Sequence, residues 1–182
     1  AVTGLYSVAK GVAHLVGALA VQDGLVDLGR PVRDYWPEFA AQGKDDVTVG
    51  TLWSHGAGLV AVPEGFTVDE LADDAALAAR LAPQRPWWRP GAAYGYHAFV
   101  IGALVAELVR RATGAPLAEH YERRVRVPYG VDLHLGLPGA ARTRYVPVLA
   151  PAGATVESAA PQVPTDRASP ADLALNQHAA PP

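Results

Sequence analysis

SVAKGVAHLVGALA, residues 7–20, is the stretch of this chain that decides its fold. Apolar side chains recur in it every three or four positions, which is the spacing of an amphipathic helix. They are Val8, Val12, Leu15, Val16 and Leu19. We therefore predict one helix from Ser7 to about Asp23, ended by Gly24. Because Gly11 and Gly17 lower its helix propensity, packing against a neighbour has to hold it.

The same stretch begins with a serine and a lysine three residues apart, Ser7 and Lys10. On a helix, this spacing places both side chains on one face within reach of each other. A serine hydroxyl is a weak nucleophile until a base takes its proton, and a desolvated, neutral lysine is such a base. The alternative is that Ser7 only caps the helix and Lys10 is solvated. Since the chain has four serines and two lysines, the pair is rarely expected by chance.

Composition excludes several classes of protein. The 182 residues, 50% of them hydrophobic, suffice for one domain with a sizeable core. The net charge of −3 and the lack of a basic, aromatic cluster predict no nucleic-acid partner. No apolar stretch reaches the 18 residues of a membrane span. Without cysteines and without metal-ligand spacing among the six histidines, we predict neither a metal site nor a cofactor.

The two ends of the chain differ from its middle. Residues 1–6 lack the basic stretch and apolar core of a signal peptide, which favours the cytoplasm but leaves the compartment unknown. They also leave no room for strands before Ser7, so we expect a fragment truncated at both ends. Residues 151–182 are rich in Ala, Pro, Ser and Thr, and we predict an extended connection or disordered tail there. Residues 1–150 then form a partial domain.

Helical signals dominate the middle of the chain, so the predicted fold class is mainly α. The predicted helices after the first run from Thr48 to Trp53, from a capping box at Thr67 and Glu70 to about Leu81, from His97 to Ala112, and from Pro116 to about Val127. Strand signals are confined to two short stretches, 131–137 and 144–149.

Four further segments follow the Ser-x-x-Lys element in a fixed order: GLVDL at 24–28, LWSHGAGL at 52–59, PGAAYGYHA at 90–98 and VPYGVD at 127–132. Together these segments resemble motifs of the serine β-lactamase-related family, most of all its family VIII carboxylesterase and class C β-lactamase-like branch. The resemblance covers residues 5 to 150 approximately. The order of the segments, more than any one of them, makes the resemblance specific.

The resemblance implies a β-lactamase/transpeptidase-like α+β fold, in which a helical region packs beside an antiparallel sheet. This chain would supply the nucleophile helix and most of the helical region, with most of the sheet missing. A helix face that lacks its sheet would be exposed and apolar. It would also hold Ser7 and Lys10 poorly, so the chain by itself is expected to be inactive.

The resemblance also implies catalytic roles for three residues. Ser7 would be the acylated nucleophile, Lys10 its base or proton relay, and Tyr96 the tyrosine that shares the proton transfer. The backbone N–H of Ser7 would supply half of the oxyanion hole. The family's third motif is expected on a late strand. The sequence His134-Leu135-Gly136 fits its His-x-Gly form but comes too early in the chain, so we interpret it as a chance match.

Ala98 departs from the family pattern. β-Lactamases of the family have an Asn there that contacts the amide of a β-lactam side chain, so Ala98 favours esters. We expect Trp87 and Trp88 to wall an acyl pocket and His97 to line the cleft. The alternatives are aromatic packing for the tryptophans and a solvent-facing His97.

Two other histidines are more ambiguous. His14 lies on the helix face of Ser7 and is interpreted as a packed, hydrogen-bonded histidine rather than a catalytic partner. His55 is interpreted as holding its loop.

The predicted function is therefore a serine hydrolase that forms an acyl-enzyme with small-molecule esters or amides, carboxylic esters above all. A β-lactamase or D-alanyl-D-alanine peptidase is the alternative enzyme. A non-catalytic remnant or a helical partner-binding module is the alternative of another class. The sequence leaves the oligomeric state undetermined.

Overall fold

The computed structural model describes residues 1–149, apart from the side chain of Val68. Seven α-helices lie within this part of the chain. They are α1 (Val8–Gln22), α2 (Val49–Trp53), α3 (Val68–Leu71), α4 (Asp74–Leu81), α5 (Ile101–Thr113), α6 (Leu117–Tyr121) and α7 (Val127–Tyr129). A π-helical turn, Glu122–Arg126, joins α6 to α7. Three 3₁₀ turns occur at Val32–Asp34, Pro37–Ala40 and Gly139–Arg144. The predicted tail at 151–182 lies outside the described residues.

Helix α1 begins and ends within one residue of its predicted bounds. Its buried face consists of small and β-branched residues, Ala13, Val16, Gly17 and Ala20. A Cβ added to Gly17 would lie 2.7 Å from Cη2 of Trp53, so only glycine permits this close approach of α1 to the indole. The prediction that packing holds this glycine-containing helix is confirmed.

The opposite face of α1 is apolar and largely uncovered. Val8 is 58% exposed and Leu15 is 45% exposed, while Val12 and Leu19 are half-buried. The sequence predicts an exposed apolar face on this helix, and the structure has one. The helix is therefore anchored from one side only, through its small-residue face.

The capping box forms, but the helix that it opens is shorter than predicted. Thr67 N donates to Oε2 of Glu70 at 2.8 Å, and Glu70 N donates to Oγ1 of Thr67 at 3.2 Å. Helix α3 nevertheless ends at Leu71, because Asp73 adopts an extended conformation and starts α4. The Asp73 carboxylate accepts the N–H groups of Ala75 and Ala76, both at 3.0 Å. An aspartate that competes for backbone N–H groups thus divides the predicted helix in two.

Helix α5 starts four residues later than predicted, at Ile101 instead of His97. Before this helix, the backbone N–H of His97 donates to Nδ1 of His55, a side chain of another segment. The predicted end is confirmed: Gly114 adopts φ +78° and its N–H donates to Arg110 O. Pro116 immediately precedes α6, and helical structure continues through the π-helical turn to Tyr129.

Neither predicted strand forms within residues 1–149. Tyr145 makes one isolated parallel bridge with Val2, and Pro31 makes an antiparallel bridge with Thr48. A strand needs a neighbouring strand to satisfy its backbone groups, and these segments find none beyond single bridges. The prediction of a mainly helical chain is confirmed. None of the helices in the described part is long and apolar enough to cross a membrane.

Candidate active site

Ser7 lies immediately before α1, and Lys10 lies in the first turn of that helix. Tyr6, which precedes them, adopts φ +46°, in the left-handed region that non-glycine residues seldom occupy. Nζ of Lys10 donates to Oγ of Ser7 at 3.1 Å. The Ser7 side chain caps no backbone N–H of the helix, and Lys10 is half-buried. The structure thus has the contact that the Ser-x-x-Lys spacing predicts and lacks the capping bond of the alternative.

Tyr96 completes a three-residue cluster at the same hydroxyl. Its OH group donates to Oγ of Ser7 at 2.8 Å, across 89 positions of sequence. The hydrogen bond to Ser7 lowers the pKa of Tyr96, and Lys10 lowers it further through hydrogen bonding and charge. Nζ of Lys10 lies 5.2 Å from the centre of the tyrosine ring. These neighbours favour the phenolate, the form in which a tyrosine accepts a proton.

The three residues open into a cavity of about 980 Å³ between α1, α4, α5 and α6. Its wall is mainly apolar. Small residues of α1 and of the start of α5 form one part of it, and larger side chains the rest. They are Ala9, Ala13, Ala98, Gly102 and Ala106, with Leu71, Phe99, Leu117 and Leu135. Sequence reasoning missed this wall, although the spacing of four between Ala98, Gly102 and Ala106 was a signal for a helix face of small residues.

The far end of the cavity contains charges that neutralise one another. Glu107 accepts two hydrogen bonds from Arg110, both at 2.8 Å, and one from Arg111 at 2.6 Å. The guanidinium of Arg110 lowers the pKa of Glu107, with a smaller contribution from Arg111. Asp74, at the start of α4, also lines the cavity.

Trp87, Trp88 and His97 do not line this cavity, so the structure does not support their expected substrate-binding role. The two tryptophans lie at a separate groove of about 650 Å³ beside a proline-rich loop. Their indole N–H groups donate to backbone carbonyls, Trp88 to Gly56 at 3.2 Å and Trp87 to Ala61 at 3.3 Å. The rings therefore pack on the turn after α2 instead of on the site.

His97 is fully buried behind Tyr96. Its Nε2 accepts the backbone N–H of Leu59 at 3.1 Å, and its Nδ1 lies 2.6 Å from Gly95 O. Burial lowers the pKa of His97 to about 4. A neutral ring that carries its proton on Nδ1 satisfies both neighbours.

His55 and His14 also bond to backbone groups. Nδ1 of His55 accepts the N–H of His97 at 3.0 Å, and burial lowers the pKa of His55, helped by the nearby His14 and Lys10. The ring nitrogens of His14 lie 2.7 Å from Lys10 O and 3.1 Å from Trp53 O. His55 thus holds its loop and His14 is a packed, hydrogen-bonded histidine, as interpreted from the sequence. Within residues 1–149, no group of three or more His, Cys, Asp or Glu side chains is arranged to hold a metal ion.

The segment His134-Leu135-Gly136 comes closer to the site than its interpretation as a chance match suggested. Leu135 and Gly136 line the cavity that contains Ser7. The segment does not form a strand, and His134 contacts Oδ1 of Asp132 at 3.3 Å. It therefore contributes to the wall without the strand geometry of the family's third motif.

The helical fold and the Ser7–Lys10–Tyr96 cluster define a class of proteins that place a Ser-x-x-Lys serine beside a tyrosine. The sequence profile of the Beta-lactamase family matches residues 1–175. The chain belongs to the beta-lactamase family.

Relatives of known structure include EstA, a penicillin-binding-protein homologue and a family VIII carboxylesterase. EstA from Arthrobacter nitroguajacolicus Rue61a is 43% identical, with a TM-score of 0.86 over 98% of this chain and 46% of EstA. The penicillin-binding-protein homologue from Caulobacter crescentus is 37% identical, with a TM-score of 0.77 over 82% of this chain and 40% of the homologue. A family VIII carboxylesterase is 42% identical, with a TM-score of 0.77 over 79% of this chain and 40% of the carboxylesterase.

A curated relative, the esterase/beta-lactamase LipL of Mycobacterium tuberculosis (strain ATCC 25618 / H37Rv), is 35% identical over 149 residues. The match covers 81% of this chain and 34% of LipL. The chain thus spans about a third of this curated relative and less than half of the structural relatives.

Proposed function

We propose that Ser7 is the nucleophile of a serine hydrolase that cleaves carboxylic esters through an acyl-enzyme. The observation that carries the proposal is the position of Ser7 Oγ, which accepts hydrogen bonds from both Lys10 Nζ and Tyr96 OH. A hydroxyl flanked by two groups that exchange protons is the arrangement that activates a serine. Lys10 and Tyr96 act as the proton acceptor and relay in this proposal.

The reaction follows from these positions. Ser7 Oγ attacks the ester carbonyl carbon while its proton passes to the Tyr96–Lys10 pair. The bond from that carbon to the alcohol oxygen then breaks, and the departing alcohol takes the proton. A water molecule next attacks the acyl group on Ser7, giving up a proton to the pair, and the carboxylic acid leaves as Ser7 regains its hydrogen. The backbone N–H of Ser7 supplies one donor to the oxyanion in both steps.

The lining of the cavity supports esters over β-lactams. Its wall beside Ser7 is mainly apolar, which suits an acyl chain. Ala98 presents a methyl group where the family's β-lactamases have an Asn for the substrate amide. The family VIII carboxylesterase among the structural relatives supports the same choice. A β-lactamase or a D-alanyl-D-alanine peptidase remains the alternative enzyme, supported by the penicillin-binding-protein homologue.

We further propose that this chain by itself turns over little or no ester. The apolar face of α1 that starts at Val8 and continues through Leu15 is exposed, so the nucleophile helix is anchored on one side only. Without that second support, Ser7 and Lys10 sample more than the productive geometry. The alternative of another class is a non-catalytic remnant or a helical module that binds a partner through this face.

Intact-mass analysis after exposure to a fluorophosphonate tests the proposal. We expect one adduct on the chain and none on Ser7→Ala. Ser54→Ala is the matched control, because Ser54 is exposed and lies outside the cluster, and it should label like the parent chain. Hydrolysis of p-nitrophenyl esters by the same chain should be slow or absent. An adduct that survives Ser7→Ala would contradict the proposal, and the absence of any adduct would favour the non-catalytic alternative.

A further inference from the structure

Tyr96 is bracketed by two residues that are both bonded to one histidine. The backbone N–H of Gly95 donates to His55 O at 3.2 Å, and the backbone N–H of His97 donates to His55 Nδ1 at 3.0 Å. His55 thus holds the chain immediately before and immediately after the tyrosine. One hydrogen bond on each side of Tyr96 restricts its backbone more than either bond alone.

The side chain of His97 adds two hydrogen bonds to this arrangement. Its Nδ1 bonds to Gly95 O, and its Nε2 accepts the N–H of Leu59, in the turn that follows His55. Because the carbonyl can only accept and the N–H can only donate, a single neutral tautomer fits. Because the ring is fully buried, these two partners take the place of the water molecules that would otherwise bond to its nitrogens.

The ring of His55 also contacts the ring of Tyr96 directly. The ring centres of His55 and Tyr96 lie 5.3 Å apart, and those of His55 and His97 also lie 5.3 Å apart. His55 adopts φ +62°, a conformation that costs energy for a non-glycine residue. Such a conformation persists only where its surroundings hold it, which here are the bonds to Gly95 and His97.

We propose that His55 and His97 are positioning residues: as a hydrogen-bonded pair they hold Tyr96 so that its hydroxyl stays within hydrogen-bonding distance of Ser7 Oγ. The importance of this for catalysis rests on the proposed function. The positioning itself does not, because the contact of Tyr96 with Ser7 is measurable in a protein that turns over nothing.

Two variants of His55 separate the acceptor from the backbone shape. His55→Asn keeps a side-chain acceptor and is a residue type that tolerates the left-handed region. His55→Gly also tolerates this region and keeps the carbonyl that Gly95 bonds, but it has no side-chain acceptor. The primary readout is the titration of Tyr96. It is measured as the difference in absorbance near 295 nm between each chain and the same chain carrying Tyr96→Phe. In the parent chain, the contact with Ser7 and Lys10 places this titration below that of an ordinary tyrosine.

We expect His55→Gly to return the Tyr96 titration to that of an exposed tyrosine and His55→Asn to keep most of the shift. In parallel, the rate of fluorophosphonate labelling should fall about a hundredfold in His55→Gly, as for a misplaced catalytic group, and far less in His55→Asn. Circular dichroism checks that both variants are folded. His97→Phe, which keeps a buried ring but neither hydrogen bond, provides the second test and should behave like His55→Gly.

An unchanged Tyr96 titration in a folded His55→Gly or His97→Phe chain would overturn the proposal. Equal loss in His55→Asn and His55→Gly would also overturn the assigned role of the Nδ1 acceptor. A parent chain that never labels, but whose Tyr96 titration moves in His55→Gly and not in His55→Asn, would support the positioning while the proposed function fails.

Discussion

The two sides of the hydrogen bond between Ser7 and Tyr96 are held in different ways. On the side of the proposed nucleophile (the nucleophile side), Ser7 and Lys10 are three positions apart and contact each other at the exposed start of α1. On the tyrosine side, the bonds join segments about forty positions apart, His97 to Leu59 and His97 to His55, and the first of them is buried. One half of the site is thus a local device and the other half is a product of the folded core.

The difference predicts different responses to substitution. An exposed local contact contributes little to the free energy of unfolding, so its loss should change chemistry and leave stability nearly untouched. A buried hydrogen-bond network loses a desolvated partner whenever one member is removed, so its loss should change stability as well. The following predictions measure this contrast.

The largest effect is expected on the nucleophile side, in the rate of reaction. Lys10→Met removes a proton acceptor beside Ser7, and we expect fluorophosphonate labelling to slow by about 10²–10⁴-fold. The free energy of unfolding, measured by urea denaturation, should change by no more than about 0.5 kcal/mol. A loss of several kcal/mol in stability would show that the nucleophile side is part of the core after all.

On the tyrosine side, the buried His97 should make stability depend on pH. Its pKa falls from 6.5 to about 4 in the folded chain, because burial disfavours the charged ring. Between these two pH values, His97 is protonated in the unfolded chain and neutral in the folded chain. Its contribution to the free energy of unfolding is therefore complete above pH 6.5 and is lost as the pH falls to about 4. The shift corresponds to about 3 kcal/mol. Urea denaturation at pH 7 and pH 4 measures the loss.

The matched variant His97→Gln has no titrating ring at this position, so its pH dependence should be flatter by that amount. His55 contributes with the same sign in both proteins, since its pKa is also lowered, and cancels in the comparison. Equal slopes in the two proteins would mean that His97 is not a buried neutral ring.

Replacement of glycine by alanine should change the stability of the chain in opposite directions on the two sides. A Cβ added to Gly95 would overlap the Trp88 ring, which is fixed by its bond to Gly56, so Gly95→Ala should destabilise the chain by about 1–3 kcal/mol. A Cβ added to Gly11, the fourth residue of α1, meets nothing within 4 Å. Gly11→Ala should therefore stabilise by about 0.5–1 kcal/mol. Thermal unfolding of both variants checks the pair, and two changes of the same sign would remove the contrast.

A milder change tests the cavity that both sides share. Gly102 lines the cavity at the start of α5, and a Cβ built on it meets nothing within 4 Å. Gly102→Leu should therefore fill space beside Ser7 without disturbing the fold. We expect labelling by a long-chain alkyl fluorophosphonate to slow by about tenfold relative to a short-chain one. Equal slowing of the two probes would place the acyl chain elsewhere.

Much of the local structure could be predicted from the sequence. The bounds of α1, the capping box of Thr67 and Glu70, and the glycine at the end of α5 all follow from contacts within four residues. The contact of Ser7 with Lys10 belongs to the same category. The error at Asp73 arose because a side chain that bonds two N–H groups ahead outweighed the helical pattern around it.

The positions of Trp87, Trp88 and His97, which lie outside the lining of the cavity at Ser7, have another origin. The adjoining Pro-Gly turn led to the expectation that the tryptophans wall an acyl pocket, but the hydrogen-bonding groups of all three residues find partners in residues 56–61. Which backbone groups remain unpaired in a turn about thirty to forty positions away is not encoded in the local pattern. Only the folded chain decides it.

The sequence alone determined α1 and the contact of Ser7 with Lys10, because the apolar repeat, the Ser-x-x-Lys spacing and the stop of the helix act over a few residues. The tertiary structure decided how Tyr96 reaches Ser7. We propose that this contact depends on the buried His97 and the half-buried His55, whose hydrogen bonds join groups that are distant in the chain.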